Sequence, residues 1–203
     1  MSPEAFAADT GVSRETLVRL SIYAELLAKW QPRINLVAPS TMPELWHRHM
    51  LDSAQLVPLL PSGATTMLDI GSGAGFPGLV IAIMRADLHA HLVESDTRKA
   101  TFLREAARLT KTTSTIHARR IEELKPFPVD IVTARACAPL IELLDLAEPF
   151  LTPGSTCIFP KGARAEDELT EAGKRWNMRI ERHPSRTAAN STVLRLSDIK
   201  RIA

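Results

Sequence analysis

The sequence predicts a doubly wound α/β fold whose mainly parallel sheet of seven strands has an antiparallel edge and is preceded by an N-terminal helical cap. Three observations carry this prediction. Short apolar segments alternate with amphipathic ones through most of the chain, a glycine-dense turn follows the first apolar segment, and the residues before that segment show helical periodicity. We therefore expect a helical cap over residues 1–63 and an α/β domain over residues 64–203.

The cap is predicted from apolar residues that recur at three- and four-residue spacing, at Leu17, Leu20, Tyr23, Leu27 and Trp30. Ser13 is a suitable N-cap for this helix, and Pro32 ends it. A Pro-Ser-Gly sequence at 61–63 then breaks the chain before the first strand. The predicted cap helices are Ser13–Trp30, Pro43–Met50 and a third, capped by Asp52 or Ser53, that ends at Leu60.

The α/β domain is predicted from strands that alternate with helices, an order that favours a parallel sheet. After the apolar segment that begins at Met67, the predicted strands are His89–Glu94, Thr113–His117, Val129–Ala134, Ser155–Phe159, Asn177–Arg182 and Thr192–Leu196. The predicted helices are Pro77–Arg85, Thr97–Leu109, Pro139–Ala147 and Glu166–Lys174. Because the last two strands follow one another without a helix, we expect them to form the antiparallel edge.

The glycine-dense turn predicts a nucleotide site, because glycines at Gly71, Gly73 and Gly75 permit positive φ and a close approach of main-chain N–H groups. A dinucleotide fingerprint fits only weakly, since counting from Gly71 puts Phe76 at the sixth place. Asp69 before the turn can receive an ammonium group, and Glu94 after the next strand can accept both ribose hydroxyls. This pair suits S-adenosylmethionine; a turn whose glycines serve only packing is the alternative.

Composition excludes several classes of protein. The formal net charge is +2, so the whole-chain charge does not indicate nucleic-acid binding. No apolar segment approaches membrane-spanning length and no signal pattern is present, so we expect a soluble, cytoplasmic protein that binds no membrane. Cys137 and Cys157 lie in apolar sequence and are expected to be reduced core residues.

Local charge gives a different prediction from the net charge. Arg104, Arg108 and Lys111 are spaced to share a helix face, which is typical of a phosphate-contacting surface; a solvated helix face is the alternative. The histidine pairs, such as His89 and His91, have no cysteine or acid cluster beside them, so we expect no metal site. The predicted RNA-binding residues are Arg98, Lys99, Arg104, Arg108 and Lys111.

Several segments together resemble one family. They are Leu26–Val37, His49–Ser53, Leu68–Gly78, Glu94–Leu103, Ala134–Pro139 and Pro160–Gly162. They resemble the bacterial 16S rRNA (guanine-N7) methyltransferase family, RsmG, once called glucose-inhibited division protein B. The similarity runs from about residue 20 to 170. It implies a Rossmann-like methyltransferase sheet, methylation of N7 of a guanine in 16S rRNA with S-adenosylmethionine as cofactor, and the small ribosomal subunit as partner. We expect a monomer.

The resemblance also implies site residues. The family's cofactor contacts fall on Gly71, Phe76, Ile121, Glu122 and Arg135, and the full predicted set adds Asp69, Gly73, Gly75 and Glu94. No general base is predicted, because the N7 lone pair of guanine is free at neutral pH. Arg135 and Lys161, at strand ends, are expected to position the substrate through a phosphate or the guanine O6.

Three alternative functions stay open at this point. The first is a methyltransferase for a small molecule or a protein, which would not need the predicted RNA-binding residues. The second is a non-enzymatic nucleotide- or RNA-binding module. The third is a dinucleotide oxidoreductase; it is the weakest, since no group suited to hydride chemistry is visible in the sequence.

Overall fold

A computed structural model describes residues 1–202. Its centre is one seven-stranded sheet in the order β3-β2-β1-β4-β5-β7-β6. Strands β1 to β5 are parallel, and β7 runs antiparallel to both β5 and β6. The predicted doubly wound sheet with an antiparallel edge is confirmed. The strands are β1 Thr66–Ile70, β2 His89–Val93, β3 Ser114–His117, β4 Val129–Ala134, β5 Leu151–Lys161, β6 Trp176–Pro184 and β7 Thr192–Arg201.

Both faces of the sheet are buried because alternate residues of a strand point to opposite faces. Met67 of β1 and Ile131 of β4 pack into one apolar cluster, whereas Leu68 and Val132 pack into a second. Helices α4 (Gly78–Met84) and α5 (Thr97–Leu109) cover the first face; α6 (Leu140–Ala147) and α7 (Ala165–Ala172) cover the second.

The N-terminal part begins with α1 (Pro3–Thr10) and α2 (Arg14–Trp30). The predicted cap of α2 is confirmed, since Ser13 Oγ accepts a hydrogen bond from the Thr16 main chain at 3.1 Å. A 3₁₀ turn at Pro39–Glu44 and a π-helix at Trp46–Leu51 replace the predicted α-helix over 43–50.

The prediction of a separate third helix capped by Asp52 or Ser53 is wrong. The short α3 (Asp52–Ala54) continues directly from the π-helix, and Leu51 before it already has helical dihedral angles. Neither side chain caps a helix: the Asp52 carboxylate pairs with Arg135, and Ser53 Oγ donates to the His49 carbonyl. A 3₁₀ turn at Val57–Leu59 completes the segment.

The cap and the sheet share apolar packing. Tyr23 of α2 has no exposed surface and lies between Phe76 and Phe102, with ring centroids 5.5 and 6.2 Å away. Its hydroxyl donates to the Ala74 carbonyl in the glycine turn. The division of the chain at residue 63 stays a prediction. Within residues 1–202, no helix is both long and apolar enough to cross a bilayer.

Candidate functional site

The glycine turn lies between β1 and α4, at the carboxyl edge of the sheet. Gly71, Gly73 and Gly75 have φ values of 65°, 56° and 102°, which lie in the left-handed region. Ser72 N donates to the Val93 carbonyl at 2.9 Å, so the turn is fastened to the end of β2. Parallel strands end at the same edge, and ligands of such sheets bind there.

Glu94 joins the turn from β2. Its Oε2 accepts from Gly73 N at 2.8 Å and its Oε1 accepts from Asp96 N at 2.7 Å. The residue is only 8% exposed. Because a carboxylate oxygen can accept more than one hydrogen bond, both oxygens can still receive hydroxyl groups of a bound ribose.

Asp69 lies behind the turn and has no exposed surface. Its Oδ1 accepts from Thr133 Oγ1 at 2.7 Å, and its Oδ2 has no hydrogen-bond partner within residues 1–202. Burial raises the pKa of this carboxyl to about 6, against the lowering effect of the Thr133 hydrogen bond. The prediction that Asp69 receives an ammonium group therefore requires that group to reach a buried side chain. The Asp69 Oδ2 faces the main chain of Gly78, where an added Cβ atom would lie 2.6 Å from it, so the ammonium contact stays a prediction.

The Phe76 side chain packs away from the cleft. It is 3% exposed, stacks on His49 with ring centroids 5.0 Å apart, and lies 5.0 Å from the Arg135 guanidinium carbon. Only its main chain can contact a cofactor. The contact between Phe76 and His49 links the glycine turn to the N-terminal cap.

Cys137 belongs to the site, and the prediction that it lies in the core is wrong. It is exposed in the segment after β4, whereas Cys157 is fully buried as predicted. A Cβ atom added to Gly71 would lie 2.6 Å from Cys137 Sγ, so the two residues are in close contact. Partial burial raises the pKa of the Cys137 thiol, and the charges of Asp69 and Glu94 add to this shift.

Ile121 and Glu122 lie in a single 3₁₀ turn, Ile121–Glu123, after β3. Ile121 is 7% exposed and packs in the second apolar cluster, while Glu122 is exposed. Since β3 and β2 are neighbours, this turn follows the strand next to the one that supplies Glu94. The Glu122 charge also acts on the Cys137 thiol, so the two groups lie within electrostatic reach of each other.

A cavity of about 640 Å³ opens at the carboxyl ends of β4 and β5. The π-helix and α3 form one wall, and the β6–β7 connection forms another. Cys137 lines this cavity and also contacts Gly71, so the cavity adjoins the glycine turn. The polar residues that line it include Arg48, His49, Asp52, Arg135, Lys161, Arg164, Thr187 and Ser191.

The two cations predicted to position the substrate both line this cavity, and both are paired. Lys161 Nζ lies 2.8 Å from Glu168 Oε2 and 3.0 Å from the Ala138 carbonyl. Arg135 Nη1 lies 3.1 Å from Asp52 Oδ2. Asp52 therefore contributes to the site, although its sequence position suggested only a helix cap.

His49 is the second partner of Arg135. Burial lowers the pKa of His49 to about 4, and the Arg135 charge adds to this shift. The ring is therefore neutral at pH 7. Its Nδ1 accepts from Arg135 Nη2 at 2.9 Å, which leaves the proton on Nε2, 2.8 Å from Thr41 Oγ1.

The predicted RNA-binding residues are only partly grouped. Arg104, Arg108 and Lys111 line a shallow groove between α5 and β3. The prediction that Lys111 lies on the helix face is wrong, because α5 ends at Leu109 and Lys111 has a φ of 49°. Arg108 pairs with Glu105 at 2.8 Å.

Arg98 and Lys99 lie in the first turn of α5, near the carboxyl edge, and Arg98 pairs with Asp96 at 3.2 Å. From Arg98 to Arg108 the helix rises about 15 Å. The groove therefore lies away from the edge that carries the glycine turn.

The strand histidines form a cluster of their own. The rings of His91 and His117 stack with centroids 5.3 Å apart, and His91 Nδ1 lies 3.1 Å from His117 Nε2. His89 and His91 face the same way, as predicted for residues two apart on a strand. Over residues 1–202, no group of three or more histidine, cysteine or acidic side chains is arranged to hold a metal ion.

Comparison with known proteins gives consistent matches. The family model described as rRNA small subunit methyltransferase G matches residues 16–193. A relative from Paramagnetospirillum magneticum, described as ribosomal RNA small subunit methyltransferase G, is 56% identical over 99% of this chain and 98% of its own length. A relative of the same description from Rhodospirillum rubrum is 54% identical over 99% of this chain and its full length.

Solved structures support the fold. An O-methyltransferase from Bacillus cereus in complex with SAH has a TM-score of 0.60 and 14% identity, covering 87% of this chain and 90% of that one. The mitomycin 7-O-methyltransferase MmcR has a TM-score of 0.59 and 15% identity, covering 99% of this chain and 72% of that one. At these identities the likeness extends to the fold alone.

Proposed function

The chain belongs to the rRNA small subunit methyltransferase G family, and from this premise we propose that it transfers a methyl group from S-adenosylmethionine to N7 of a guanine in 16S rRNA. The observation that carries the assignment is the family match over residues 16–193. The hydrogen bond from Gly73 N to Glu94 agrees with it, because it holds the glycine turn against a carboxylate at the carboxyl edge.

The proposed cofactor site uses the residues predicted from the sequence. Glu94 would accept the ribose hydroxyls, and the main chain of the glycine turn would contact the methionine part. Asp69, which is buried behind the turn, is proposed to receive the ammonium group. When bound, S-adenosylmethionine supplies an electrophilic methyl group on a sulfonium. The complete proposed set is Asp69, Gly71, Gly73, Gly75, Phe76, Glu94, Ile121, Glu122 and Arg135, the last through its main chain because its guanidinium is held by the cap.

In the proposed reaction the chain binds and orients, and it moves no proton. Guanine N7 attacks with a free lone pair and the neutral base becomes a cation, so no general base is required. Holding the reactants in line can supply roughly 7–11 kcal/mol of the barrier. The 640 Å³ cavity beside Gly71 and Cys137 is the proposed place for the guanine.

The cavity cations suit a reaction that creates positive charge. A free cation near N7 would oppose that charge. Arg135 is paired with Asp52 and Lys161 with Glu168, so the charge of each of these two cations is offset by its partner while N–H donors remain for a phosphate or for guanine O6. Both residues are therefore proposed as substrate-positioning residues.

The RNA partner is proposed to contact two surfaces. Arg48 and Arg164 are exposed at the cavity, and the groove of Arg104, Arg108 and Lys111 lies farther along α5. We propose a monomer that binds no membrane. Among residues 1–202, exposed large apolar side chains occur only at Met1, Val18, Leu109 and Ile202, which supports this proposal.

The test is to incubate the protein with labelled S-adenosylmethionine and undermethylated small ribosomal subunits, and then to map the modified nucleotide. We expect one 7-methylguanosine in 16S rRNA. Glu94→Gln should lose methyl transfer while keeping its fold. Glu166→Gln, which removes the acid of an exposed pair with Arg182, should keep both its fold and methyl transfer. Methylation of another atom of the rRNA, of a small molecule or of a protein would contradict the proposal.

A further inference from the structure

Asp52 is the hub of a hydrogen-bond network at the cavity. Its Oδ2 pairs with Arg135 Nη1 at 3.1 Å, while its Oδ1 accepts from Thr187 Oγ1 at 2.6 Å and from Gln55 Nε2 at 3.0 Å. Arg135 and Thr187 line the same cavity, and they lie 83 and 135 residues after Asp52 in the sequence. The Asp52 and Arg135 side chains are 17% and 18% exposed.

The segment Arg48–Asp52 binds Arg135 at three points. The Asp52 carboxylate and the Arg48 carbonyl, at 3.4 Å, accept from Nη1, and His49 Nδ1 accepts from Nη2. All three acceptors come from the π-helix and its junction with α3. π-helical turns are rare and are frequent at functional sites.

A guanidinium has five N–H donors. The three contacts from the cap occupy both Nη1 hydrogens and one Nη2 hydrogen, and no further acceptor for Arg135 lies within residues 1–202. The donors left over are Nε–H and one Nη2–H, and these two nitrogens share one edge of the planar group. Two parallel donors on one edge match the two oxygens of a phosphate.

We propose that Asp52 is a positioning residue that orients Arg135 so that this edge binds a backbone phosphate of the RNA substrate beside the target guanine. The proposal rests on the proposed function. A phosphate is favoured over the O6/N7 edge of guanine, because N7 must be free to attack the methyl group. The Thr187 contact lets the same carboxylate hold the β6–β7 wall of the cavity.

The test uses Asp52→Asn, which keeps the shape and can still accept from Thr187 but no longer pairs with the guanidinium charge. We expect the affinity for S-adenosylmethionine to stay within about twofold, and kcat/KM for small subunits to fall about 10- to 100-fold, through KM, as for a lost hydrogen bond to a charged group. Asp87→Asn is the matched control, because Asp87 forms an exposed pair with Arg85 away from the cavity.

Two further measurements separate positioning from structural support. Arg135→Gln should lose as much activity as Asp52→Asn, and the double variant should lose no more than either single one. The slope of log KM against the logarithm of the salt concentration should become shallower by about one in Arg135→Gln, as for one lost phosphate contact. Additive losses would overturn the positioning role, and an unchanged salt slope would overturn the phosphate assignment.

If Asp52→Asn does not fold, Thr187→Val removes one anchor of Asp52 and keeps its charge; we then expect KM to rise about threefold or more, and no rise overturns the proposal. The proposed function and the positioning role of Asp52 are contradicted by different outcomes. Wild-type protein that binds S-adenosylmethionine without methylating small subunits contradicts the proposed function. Wild-type activity that Asp52→Asn retains unchanged contradicts the positioning role alone.

Discussion

The glycines of the turn differ in why each must be glycine. A Cβ atom at Gly78 would lie 2.6 Å from Asp69 Oδ2, so this position is limited by contact with the buried carboxylate. At Gly73 the nearest atom to an added Cβ is the Gly71 carbonyl oxygen, 3.9 Å away, but φ is 56°. Gly78 therefore serves packing, and Gly73 serves the backbone conformation of an open surface.

This difference predicts that only one of the two alanine substitutions affects cofactor binding. Gly78→Ala should destabilise the fold by about 1–3 kcal/mol, because it overpacks the space beside Asp69. Gly73→Ala should cost about 1–2 kcal/mol through its left-handed φ, and it should also weaken S-adenosylmethionine binding because the added methyl group would enter the open space where the cofactor is proposed to bind. Thermal unfolding and titration calorimetry measure the two effects.

Gly154→Ala is the control for both, since a Cβ atom there meets nothing within 4 Å. A Gly78→Ala protein as stable as the wild type would contradict the packing account. Unchanged cofactor affinity in Gly73→Ala would contradict the placement of the cofactor at this turn.

Sequence reasoning found the residues whose role follows from local pattern, and it missed those whose role depends on distant partners. The glycine turn and Glu94 were found because a strand, a turn and the next strand end are close in sequence. Asp52 was interpreted as a helix cap, and its partner Arg135 lies 83 residues later, just after β4. Cys137 was assigned to the core from its apolar neighbours, although its position after β4, beside Arg135, pointed to the carboxyl edge.

At the scale of elements, the prediction was most accurate for helices and strands with strong periodicity. Helix α5 has its predicted bounds, and Asp96 caps it by accepting from Arg98 N at 2.8 Å. The edge strand β7 continues to Arg201, beyond its predicted end at Leu196. The extension was not predicted because the last residues are largely exposed and show no apolar alternation. The π-helix was missed because its residues have ordinary helical periodicity.

The groove between α5 and β3 allows a test of the RNA contacts. Replacing Arg104, Arg108 and Lys111 by glutamine should raise KM for small subunits and reduce the salt dependence, with S-adenosylmethionine affinity unchanged. Arg108 should contribute least, because its guanidinium already pairs with Glu105.

The matched control for the groove carries the same charge change elsewhere, at Lys174, Arg179 and Lys200. These side chains are exposed and lie near or on β6 and β7, at the other end of the sheet. Equal losses in the two triple variants would indicate a non-specific charge effect. No loss in the groove variant would favour the solvated helix face.

For the whole molecule, buried titratable groups make stability depend on pH with opposing signs. The pKa values of His49 and His91 are lowered to about 4, mainly by burial, whereas burial raises that of Asp69 to about 6. Between about pH 6.5 and 4 the unfolded chain binds more protons at the two histidines, so they reduce stability as the pH falls. Between about pH 6 and 4, Asp69 binds more protons in the folded state and opposes this trend.

We therefore expect the Tm of the wild type to fall from pH 6.5 toward pH 4, because three histidines with lowered pKa values, His49, His91 and His117, act against one aspartate. The Tm of His91→Gln should fall less between pH 6.5 and 4, since one of the titrating histidines is gone. Asp69→Asn should fall more steeply, because the opposing group is removed. Thermal unfolding at several pH values measures all three slopes, and parallel curves for the three proteins would contradict these assignments.

The shared packing of the cap and the sheet predicts a single cooperative unfolding transition. Tyr23 and Trp30 of α2 contact Phe102 of α5, and Arg186 of the β6–β7 connection pairs with Asp9 in α1 at 2.7 Å. Separating residues 1–63 would expose this apolar surface, so neither part should unfold alone. Calorimetric and van't Hoff enthalpies should therefore agree.

Two substitutions at Tyr23 test this coupling. Tyr23→Ala leaves a cavity between Phe76 and Phe102, and the whole transition should shift down by the equivalent of about 3–5 kcal/mol without splitting. Tyr23→Phe keeps the ring and loses only the hydrogen bond to Ala74, so it should cost about 1 kcal/mol. A second transition in either variant would mean that the cap is a separate folding unit. A fragment of residues 64–203 that unfolds cooperatively and binds S-adenosylmethionine would mean the same. If neither is observed, the cap that holds Arg135 cannot separate from the glycine turn while the protein remains folded.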